Sequence, residues 1–462
     1  MENVTIVVLA AGLGTRMKSR KAKVLHQAGG VTLIEHVASA ATAVAPPERV
    51  FIVVGHQAEV VEATLAGRGV RFAVQSEQLG TGHAVAACRE GAAPLGGEVV
   101  ILLGDCPLLA PATIERLVST QRTSKSAATV ITTVLEDPTG YGRIVRAEDG
   151  SVAAIVEQKA ATPAQQAIRE VNSGVYCFRG ELLWKYLDEI GTDNPAREYY
   201  LTDIVEILRR RGYTVAPLLI EDPTELLGIN TRAELAQVDA ILRARKVRQI
   251  MLDGVTVEKP ETVTIDSGVE IGRDTVIEPF ARILGRTVIG EDCRVGACSI
   301  VRDSELAAEV EVLPFTFIDT SHLERGAHVG PYARLRMNAR VRGGARVGNF
   351  VEMKNAELGV GAKSQHLAYL GDATIGDGAN VGAGTITCNY DGVRKHRTTI
   401  GAGAFIGSNS TLVAPVEIGD GSYVGAGSVV TDPVPADALA LGRGRQVIKE
   451  GWAKKRREAQ AK

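Results

Sequence analysis

The stretch IDSGVEIGRDTVIEPFARILGRTVIGEDCRVGACSIV, Ile265 to Val301, carries an aliphatic side chain at every sixth position: Ile265, Ile271, Ile277, Ile283, Ile289, Val295 and Val301. A helix repeats at 3.6 residues and a half-buried strand at two, so neither makes a step of six. Three short strands per coil do, each turning one aliphatic side chain into a narrow triangular core. The step resumes after a slip with Leu323, Val329, Leu335, Val341, Val347 and Met353, and later with Ile400, Ile406, Leu412, Ile418, Val424 and Val430. Small residues crowd the turns, as in IGDGANVGAG and IGDGSYVGAGSVV. The pattern predicts a parallel β-helix of hexapeptide repeats, with a C-terminal tail, over residues 253–462.

The slips are informative. ITCNYDGVRKHRTT leaves the step between Val381 and Ile400 and carries Asn389, Tyr390, Arg394, Lys395 and His396. Binding residues gather on loops ejected from a scaffold. SQHLAYLGD breaks the step again and holds His366 and Tyr369; histidine is the commonest general base near neutral pH. ARLRMNARVRGGARVGNFVEMKNAE offers Arg336 and Lys354, cations suited to a sugar phosphate. Arg334, Arg340 and Arg342 read as solvated surface, and His322 and His328 as structural.

Upstream, NTRAELAQVDAILRARKVRQIMLDG reads as one long linker helix over 231–252. Thr231 and Glu234 form a capping box, and Leu235, Val238, Ile241 and Leu242 share an apolar face. Arg243, Arg245, Lys246 and Arg248 gather near the end, where the dipole favours cations. Gly254 supplies the stop.

Residues 1–230 have another rhythm. VTIVVLA, RVFIVV, VVILLG and ATVITTV read as strands, and TLIEHVASAATAVA, TIERLVSTQ and LTDIVEILRR as helices. Apolar strands between helices predict an α/β Rossmann-like domain whose mostly parallel sheet is covered on both faces. Ligands on such sheets bind beyond the carboxyl ends of the strands. One such end is VTIVVLAAGLGTRM, Val4 to Met17. It has Gly12 and Gly14, but Met17 where a dinucleotide fingerprint has its third glycine, and no GK[ST] as in a Walker loop. Backbone donors with Arg16 and Lys23 suit a triphosphate. QSEQLGTGHA adds Gln75, Gly80 and Thr81; a glutamine amide offers the donor and acceptor that match a pyrimidine edge. ILLGDCPLL leaves Asp105 after a buried strand as a hard oxygen ligand suited to Mg²⁺. PTGYGRI, IVEQK, VNSGVY and LLGIN add Gly142, Glu157, Asn172 and Asn230. One such residue at a strand edge is usually a turn or cap, but four in one half-chain point to ligands.

The bulk numbers limit the partners. A net charge of −2 over 462 residues does not favour a nucleic-acid partner or a membrane surface. The basic run Lys454, Lys455, Arg456 and Arg457 reads as a solvated end. No run approaches the ~20 apolar residues of a membrane helix, which excludes stable membrane insertion, and no signal-peptide layout is seen. The six cysteines show no CxxC or Cys/His zinc spacing, so a cytoplasmic protein with reduced thiols is expected.

LAAGLGTRM, KVLH, QLGTGHA, GDCPLL, PTGYGRI, IVEQK, EYYLTDI and GIN together resemble a sugar-nucleotide pyrophosphorylase. With SQHLAYLGD, NYDG and KEGW, the chain resembles the bacterial bifunctional N-acetylglucosamine-1-phosphate uridylyltransferase/glucosamine-1-phosphate acetyltransferase family over nearly its whole length. The resemblance implies a left-handed coil, against the usual crossover hand. It implies acetyl transfer from acetyl-CoA to glucosamine-1-phosphate, then attack of N-acetylglucosamine-1-phosphate on the α-phosphate of UTP. The product, UDP-N-acetylglucosamine, would serve peptidoglycan and cell-wall synthesis. By the same resemblance Leu9, Ala10, Ala11, Gly12, Gln75, Gly80 and Thr81 hold the uridine part, and Arg16 and Lys23 act catalytically on the phosphates. Asp105 and Asn230 hold Mg²⁺, while Gly142, Glu157 and Asn172 bind the amino sugar. In the second half, the resemblance makes His366 the base toward the attacking amine. Arg336, Lys354, Tyr369, Asn380, Asn389 and Tyr390 bind glucosamine-1-phosphate, the last two adjacent to acetyl-CoA. Ala383, Ser408, Ala426 and Arg443 line the acetyl-CoA site, with backbone N–H groups near Ala383 facing the oxyanion. The family is trimeric through the β-helix, so a homotrimer is expected. Three positions depart from its pattern: Ala22 and Met337 stand where proline is usual, and Leu103 where an aromatic is common. A single-activity pyrophosphorylase with a purely assembling β-helix is the alternative, and His366, Lys354 and NYDG weigh against it.

Overall fold

The computed structural model describes residues 3–461; the expected domain limits at residues 1 and 462 lie outside them. The chain divides into two compact units that part between Leu242 and Arg243, inside the helix Arg232–Leu252.

In the first unit, alternation along one strand feeds two cores. Val4, Ile6 and Val8 of the strand Val4–Leu9 join one apolar cluster, and Val7 joins the other. Helices Leu33–Val44 and Pro111–Ser124 close the first face with Ile34, Val37, Ala41, Ile114 and Leu117. Helices Gly180–Tyr186 and Asp203–Arg210 close the second with Leu183, Ile204 and Leu208. A sheet covered on both faces needs strands that are apolar throughout, which is why these read as continuous runs. The main sheet runs Val215–Leu219, Ala128–Val134, Glu170–Arg179, Glu98–Leu103, Val4–Leu9, Val50–Val54, Arg71–Val74. Val4–Leu9 pairs in parallel with Val50–Val54 on one side and Glu98–Leu103 on the other. The chain therefore leaves that strand in both directions, and a crevice opens at its carboxyl end. Glu170–Arg179 is the exception to the parallel pattern, antiparallel to both neighbours. The hairpin Arg143–Arg146 and Val152–Val156 attaches to it.

The capping box forms as the sequence predicts. Glu234 N donates to Thr231 Oγ1 at 3.2 Å and Thr231 N donates to Glu234 Oε2 at 2.7 Å. Val238 is buried with Met17, Leu33, Leu108 and Ile229. Gly254 follows the helix end at φ +98°.

The second unit is a left-handed parallel β-helix of three sheets with 11, 10 and 9 strands. Val276 pairs with Arg294, eighteen residues and one coil later. Arg294 pairs with Glu311 only seventeen residues on, which accounts for the slip after Val301. Asn380 pairs with Phe405, twenty-five residues on, because the NYDG loop is inserted in that coil. The six-step aliphatics fill one continuous core; Ile265, Ile277, Ile283, Val295 and Val301 are fully buried, and Ile271 is partly so. Thr275, Thr287 and Ser299 are also buried, because each hydroxyl donates to a carbonyl at a coil corner, at 2.9, 2.7 and 3.0 Å.

Candidate active sites

In the first unit a cleft of about 440 Å³ opens where the central strands end, lined by Leu9 to Thr15, Lys23, Gln75, Gln78, Gly80, Thr81, Leu103, Asp105 and Glu198. Gly14 is left-handed at φ +62°, and a Cβ there would meet Lys23 Cβ at 2.7 Å. The loop thus needs glycine at 14 to seat Lys23 against it. Gly12 takes an ordinary φ and a Cβ on it would meet nothing, so its space faces the open cleft. Lys23 Nζ is ion-paired with Asp105 Oδ2 and lies 3.2 Å from Asn230 Oδ1. Arg16 donates to the same Asn230 oxygen at 2.8 Å. Four residues spread over more than two hundred positions therefore meet around one point. Asn230 is held there by its own N–H, which donates to Glu234 Oε2 at 2.7 Å. Among the described residues no cluster of three or more His, Cys, Asp or Glu has metal-ligand geometry. Asp105 and Asn230 provide two hard oxygens, a set that fits an ion which keeps water and phosphate as its other ligands.

Gln75 is buried, 4% exposed. Its Nε2 lies 3.1 Å from Gly80 O and 3.1 Å from His83 Nδ1. The donor end expected to face a base is therefore occupied within the protein. Gly80 is forced: at φ +113°, a Cβ would meet Tyr199 O at 2.6 Å. Thr81 Oγ1 accepts from Leu201 N at 3.0 Å. Ala22, in the place of the family's usual proline, donates its N–H to Gln57 Oε1 at 2.7 Å. Proline has no such donor, so Gln57 ties the loop that a ring would otherwise stiffen.

A second cleft of about 260 Å³ shares Leu9, Thr81, Leu103 and Glu198 with the first and adds Glu157, Asn172, Tyr176 and Tyr200. Gly142 joins Glu157 and Asn172: a Cβ on it would meet Glu157 Oε1 at 3.5 Å and Asn172 Cβ at 3.6 Å. Asn172 Nδ2 donates to Tyr176 Oη at 2.7 Å, and its Oδ1 accepts from Gly174 N at 3.0 Å. Burial, and then the nearby Asp203 carboxylate, push the Glu157 carboxyl above the usual carboxylate range. Leu103, where an aromatic is common, lines both clefts.

In the β-helix, register alone places the residues. Arg336 pairs with Lys354 and Lys354 with Gly371 on successive coils. Lys354, 7% exposed, lies 3.7 Å from Asp372 Oδ2. Asp372 also accepts from Asn355 Nδ2 at 2.6 Å and from Asn389 Nδ2. Burial raises the Asp372 carboxyl, but the Asn355 and Asn389 donors and the Lys354 and Lys395 charges outweigh it and hold it below the ordinary range. Lys354, Asp372, Asn355, Met337 and Lys395 line a cleft of about 550 Å³. Tyr369 lies along its own strand; a Cβ at Gly371 would meet its phenol oxygen at 2.5 Å. Arg336 donates to Glu352 Oε1 at 2.8 Å. Met337 has φ +57°, which proline cannot take.

The remaining β-helix residues follow one corner. His366 O accepts from Gly384 N at 3.3 Å, Ala383 O from Asn409 N at 2.7 Å, and Ser408 O from Gly427 N at 2.8 Å. His366, Ala383, Ser408 and Ala426 therefore stack on consecutive coils. Arg443 is exposed one coil further, after Gly442, whose N–H donates to Ser428 Oγ at 3.2 Å. His366 Nδ1 lies 2.9 Å from Asn349 Oδ1. Asn380 pairs with Lys363 and Phe405, on a different sheet from Arg336, Lys354 and Tyr369. A single chain thus does not gather all the expected acetyl-site residues in one pocket. Tyr390 Oη donates to Gly392 O at 2.6 Å. Asp391 ties the ejected loop: it accepts from Arg394 N at 2.6 Å and Val393 N at 2.7 Å and pairs with His396 at 2.7 Å, lowering its carboxyl to about 2.

Glu198, Tyr200 and Gln78 line the first unit's clefts and Lys395 the β-helix cleft; sequence reading marks Lys395 only as one charge on the ejected loop and assigns the other three no role of their own. EYYLTDI and the NYDG loop carry three of them, so the motif was visible where the individual roles were not. Arg342, read as plain surface, bridges Glu324 at 2.6 Å and Glu357 at 2.8 Å. His322 and His328, read as structural, lie against Glu305 at 3.3 Å and Glu311 at 2.7 Å.

Known proteins match both units. The MobA-like NTP transferase domain family matches residues 6–250. The bacterial transferase hexapeptide family (six repeats) matches residues 268–303 and 397–432. "Bifunctional protein GlmU" of Solibacter usitatus (strain Ellin6076) is 59% identical over 455 residues, covering 98% of each chain. Its counterpart in Koribacter versatilis (strain Ellin345) is 48% identical over 99% of this chain and 98% of its own. That of Anaeromyxobacter sp. (strain Fw109-5) is 52% identical over 99% and 94%. Matches of this depth span both units, and the chain belongs to the bifunctional GlmU family.

Proposed function

We propose that each unit carries one half of the synthesis of UDP-N-acetylglucosamine, a precursor for cell-wall peptidoglycan. The enzyme acetylates glucosamine-1-phosphate with acetyl-CoA, then transfers uridylyl from UTP to N-acetylglucosamine-1-phosphate and releases pyrophosphate. Residues 1–230 hold the uridylyl site, 231–252 link, and 253–462 hold the acetyl site.

The observation that carries the first assignment is the meeting of Lys23, Asp105, Asn230 and Arg16 at the cleft mouth. Phosphoryl-type transfer needs positioning and charge neutralisation, not a protein nucleophile. Leu9 to Gly12, Gln75, Gly80 and Thr81 hold the uridine part, while Arg16 and Lys23 face the phosphates. A phosphate oxygen of the sugar attacks the α-phosphorus, and pyrophosphate leaves from the opposite side. Gly142, Glu157 and Asn172 orient the sugar. Asp105 and Asn230 would hold Mg²⁺, taking over the oxygens that the Lys23 ammonium bridges here. When bound, the ion supplies further neutralisation of the phosphates.

In the β-helix, Asn349 Oδ1 accepts from His366 Nδ1–H, which leaves Nε2 to take a proton from the attacking amine. Arg336, Lys354, Tyr369, Asn380, Asn389 and Tyr390 bind the amino sugar phosphate. Ala383, Ser408, Ala426 and Arg443 line the acetyl-CoA site. Asn380 lies on a different face from Lys354, which supports a site completed by a neighbouring chain, and the chain works as a homotrimer. An exposed ladder supports this: Phe315, Tyr332 and Phe350 stack at 5.0 and 5.3 Å along one corner. Leu367 continues that corner beside His366. Exposed apolar patches of this kind mark association surfaces. The six cysteines are free thiols, and among the described residues no helix is long and apolar enough to cross a membrane; we assign the chain to the cytoplasm. The test is a paired assay: pyrophosphate release from UTP, Mg²⁺ and N-acetylglucosamine-1-phosphate, and free CoA from acetyl-CoA and glucosamine-1-phosphate. Absence of either product from pure protein overturns that half of the assignment.

A further inference from the structure

The peptide groups just ahead of Lys23 are gripped from a distant part of the chain. Gln57 Oε1 accepts from Ala22 N at 2.7 Å, and Gln57 Nε2 donates to Arg20 O at 3.0 Å. A peptide N–H can only donate and a peptide carbonyl can only accept, so both contacts hold the amide the same way round. Among the described residues, these are the two hydrogen bonds that tie residues 19–22 to anything outside the run 14–26. Core packing seats the side chains of Ala22 and Val24 on either side of Lys23, but the orientation of the two peptide planes before Ala22 is left to Gln57. Gln57 adopts a left-handed backbone, φ +58°, which a residue with a Cβ rarely takes. Glycine would sit there without strain; glutamine brings the grip. Its own place is fixed, since its carbonyl accepts from Val60 N and Val61 N at 3.1 and 3.2 Å, and Val61 is buried in the core.

On the uridylyl reading of the first unit's cleft, on which this inference rests, Lys23 works on the phosphates. Its ammonium is held here by Asp105 and Asn230. On a triphosphate it exchanges those oxygens for phosphate oxygens, and its present side-chain partners no longer aim it. Its reach is then set by its backbone. Gly14 lies against Lys23 Cβ on one side, and the peptide planes gripped by Gln57 lead into it on the other. We propose that Gln57 is a positioning residue for Lys23: by holding the peptide groups of Arg20 and Ala22, it sets where the ammonium meets the phosphates in the transition state. A small displacement there is costly, because the rate depends on charge placed in advance. Water would satisfy the same two peptide groups, but it would not fix where they lie. Gln57 itself is not among the residues lining either cleft of the first unit.

The experiment compares the full chain with Gln57→Gly and with the double variant Ala22→Pro, Gln57→Gly. Glycine suits the left-handed backbone at 57, so the first variant removes the grip without adding strain. Ala22 has φ −55°, close to the value that proline fixes, and the ring leaves no N–H unpaired. Pyrophosphate release from UTP, Mg²⁺ and N-acetylglucosamine-1-phosphate is measured, with kcat counted per UTP-binding site by titration calorimetry, so that an unfolded fraction does not enter. Gln57→Gly is expected to lower kcat about ten-fold. The KM for N-acetylglucosamine-1-phosphate is expected to stay at its wild-type value, because the sugar cleft is untouched. The added proline stiffens the same stretch, and the double variant is expected to recover kcat to within about three-fold of wild type. An unchanged kcat in Gln57→Gly overturns the proposal. So does a rise in the sugar KM in step with the fall in kcat, which marks a loosened domain instead of a misplaced lysine. A double variant no faster than the single one overturns it as well. Failure of the wild type to release pyrophosphate instead removes the uridylyl reading itself, and is distinct from all three.

Discussion

The cleft of the first unit and the β-helix gather distant residues by opposite means. In the cleft, Lys23, Asp105 and Asn230 come from three separate loops and are held by individual tertiary bonds. In the β-helix, Arg336 and Lys354 are neighbours because they are one coil apart in register. The first site is specified by its loops, and a single backbone change propagates. The second is specified by a count of residues per coil, and a side-chain change stays where it is made. The β-helix, however, sets its expected site residues on different faces, so what it gains in regularity it loses in closure.

The sharpest break between the two is a pair of substitutions. Asp105→Ala leaves Lys23 without its carboxylate and takes one of two oxygens from the proposed Mg²⁺ site. It is expected to lower pyrophosphate release by about 10³-fold and to leave CoA release at the wild-type rate. His366→Ala is expected to do the reverse, lowering CoA release by about 10²–10⁴-fold. Loss of both activities in either variant contradicts the independence of the two sites.

Closure is tested next. Tyr332→Asp with Phe350→Asp puts two charges into the stacked ladder. Sedimentation is expected to show a smaller species, with CoA release lowered by about 100-fold or more and pyrophosphate release retained. A variant that stays assembled places the contact on another face of the β-helix.

Glycines sharpen the contrast at smaller scale. Gly80→Ala would drive a Cβ into Tyr199 O, at 2.6 Å, and displace the loop under Gln75. The KM for UTP is expected to rise about ten-fold, with a loss of stability of about 2 kcal/mol. Gly344→Ala is also at a left-handed position, φ +64°, but nothing lies within 4 Å. Asp274, Glu309 and Asn355 adopt the same kind of backbone without glycine elsewhere in the β-helix. Gly344→Ala is therefore expected to cost about 1 kcal/mol or less, measured by chemical denaturation, with both activities intact.

The same contrast decides what could be read from the sequence. The β-helix was legible because its core repeats at a fixed step, and even its slips marked the short coil after Val301 and the NYDG insertion. In the first unit, strands such as Val4–Leu9 and the capping box at Thr231 were legible as local patterns. The antiparallel strand Glu170–Arg179 was not, because strand direction is set by long-range pairing. Residues at strand ends, such as Asp105, could be picked out by chemistry. The tie between Ala22 and Gln57, and the occupied donor of Gln75, could not: each depends on a partner that no spacing announces. Lys395 was visible as a charge on a loop, but its place beside Lys354 follows from how that loop folds back.

The finest test uses the oppositely shifted carboxylates of the two proposed sugar-phosphate sites. Burial and Asp203 raise the Glu157 carboxyl, so it protonates while ordinary carboxylates are still ionised. Asp372 is held down by Asn355, Asn389 and two lysines, against its burial, so it stays ionised further into acid. Toward acid, the Kd for N-acetylglucosamine-1-phosphate is therefore expected to rise before that for glucosamine-1-phosphate. Both ligands carry the same phosphate, so the ratio of the two constants removes its titration. Glu157→Gln is expected to flatten the ratio and weaken sugar binding by a few-fold. The sign on stability is fixed by linkage. With its folded pKa above the unfolded one, Glu157 favours folding at low pH and loses that contribution as pH rises through the folded pKa. Removing the charge should then raise the melting temperature at neutral pH by roughly 1–3 °C. Asp372→Asn should lower it, since a carboxylate with a depressed pKa stabilises above its unfolded pKa and loses this as pH falls. A carboxylate whose removal strengthens the fold and weakens binding is held in place by its ligand; if Glu157→Gln instead lowers the melting temperature, Glu157 is part of the fold and the sugar assignment fails.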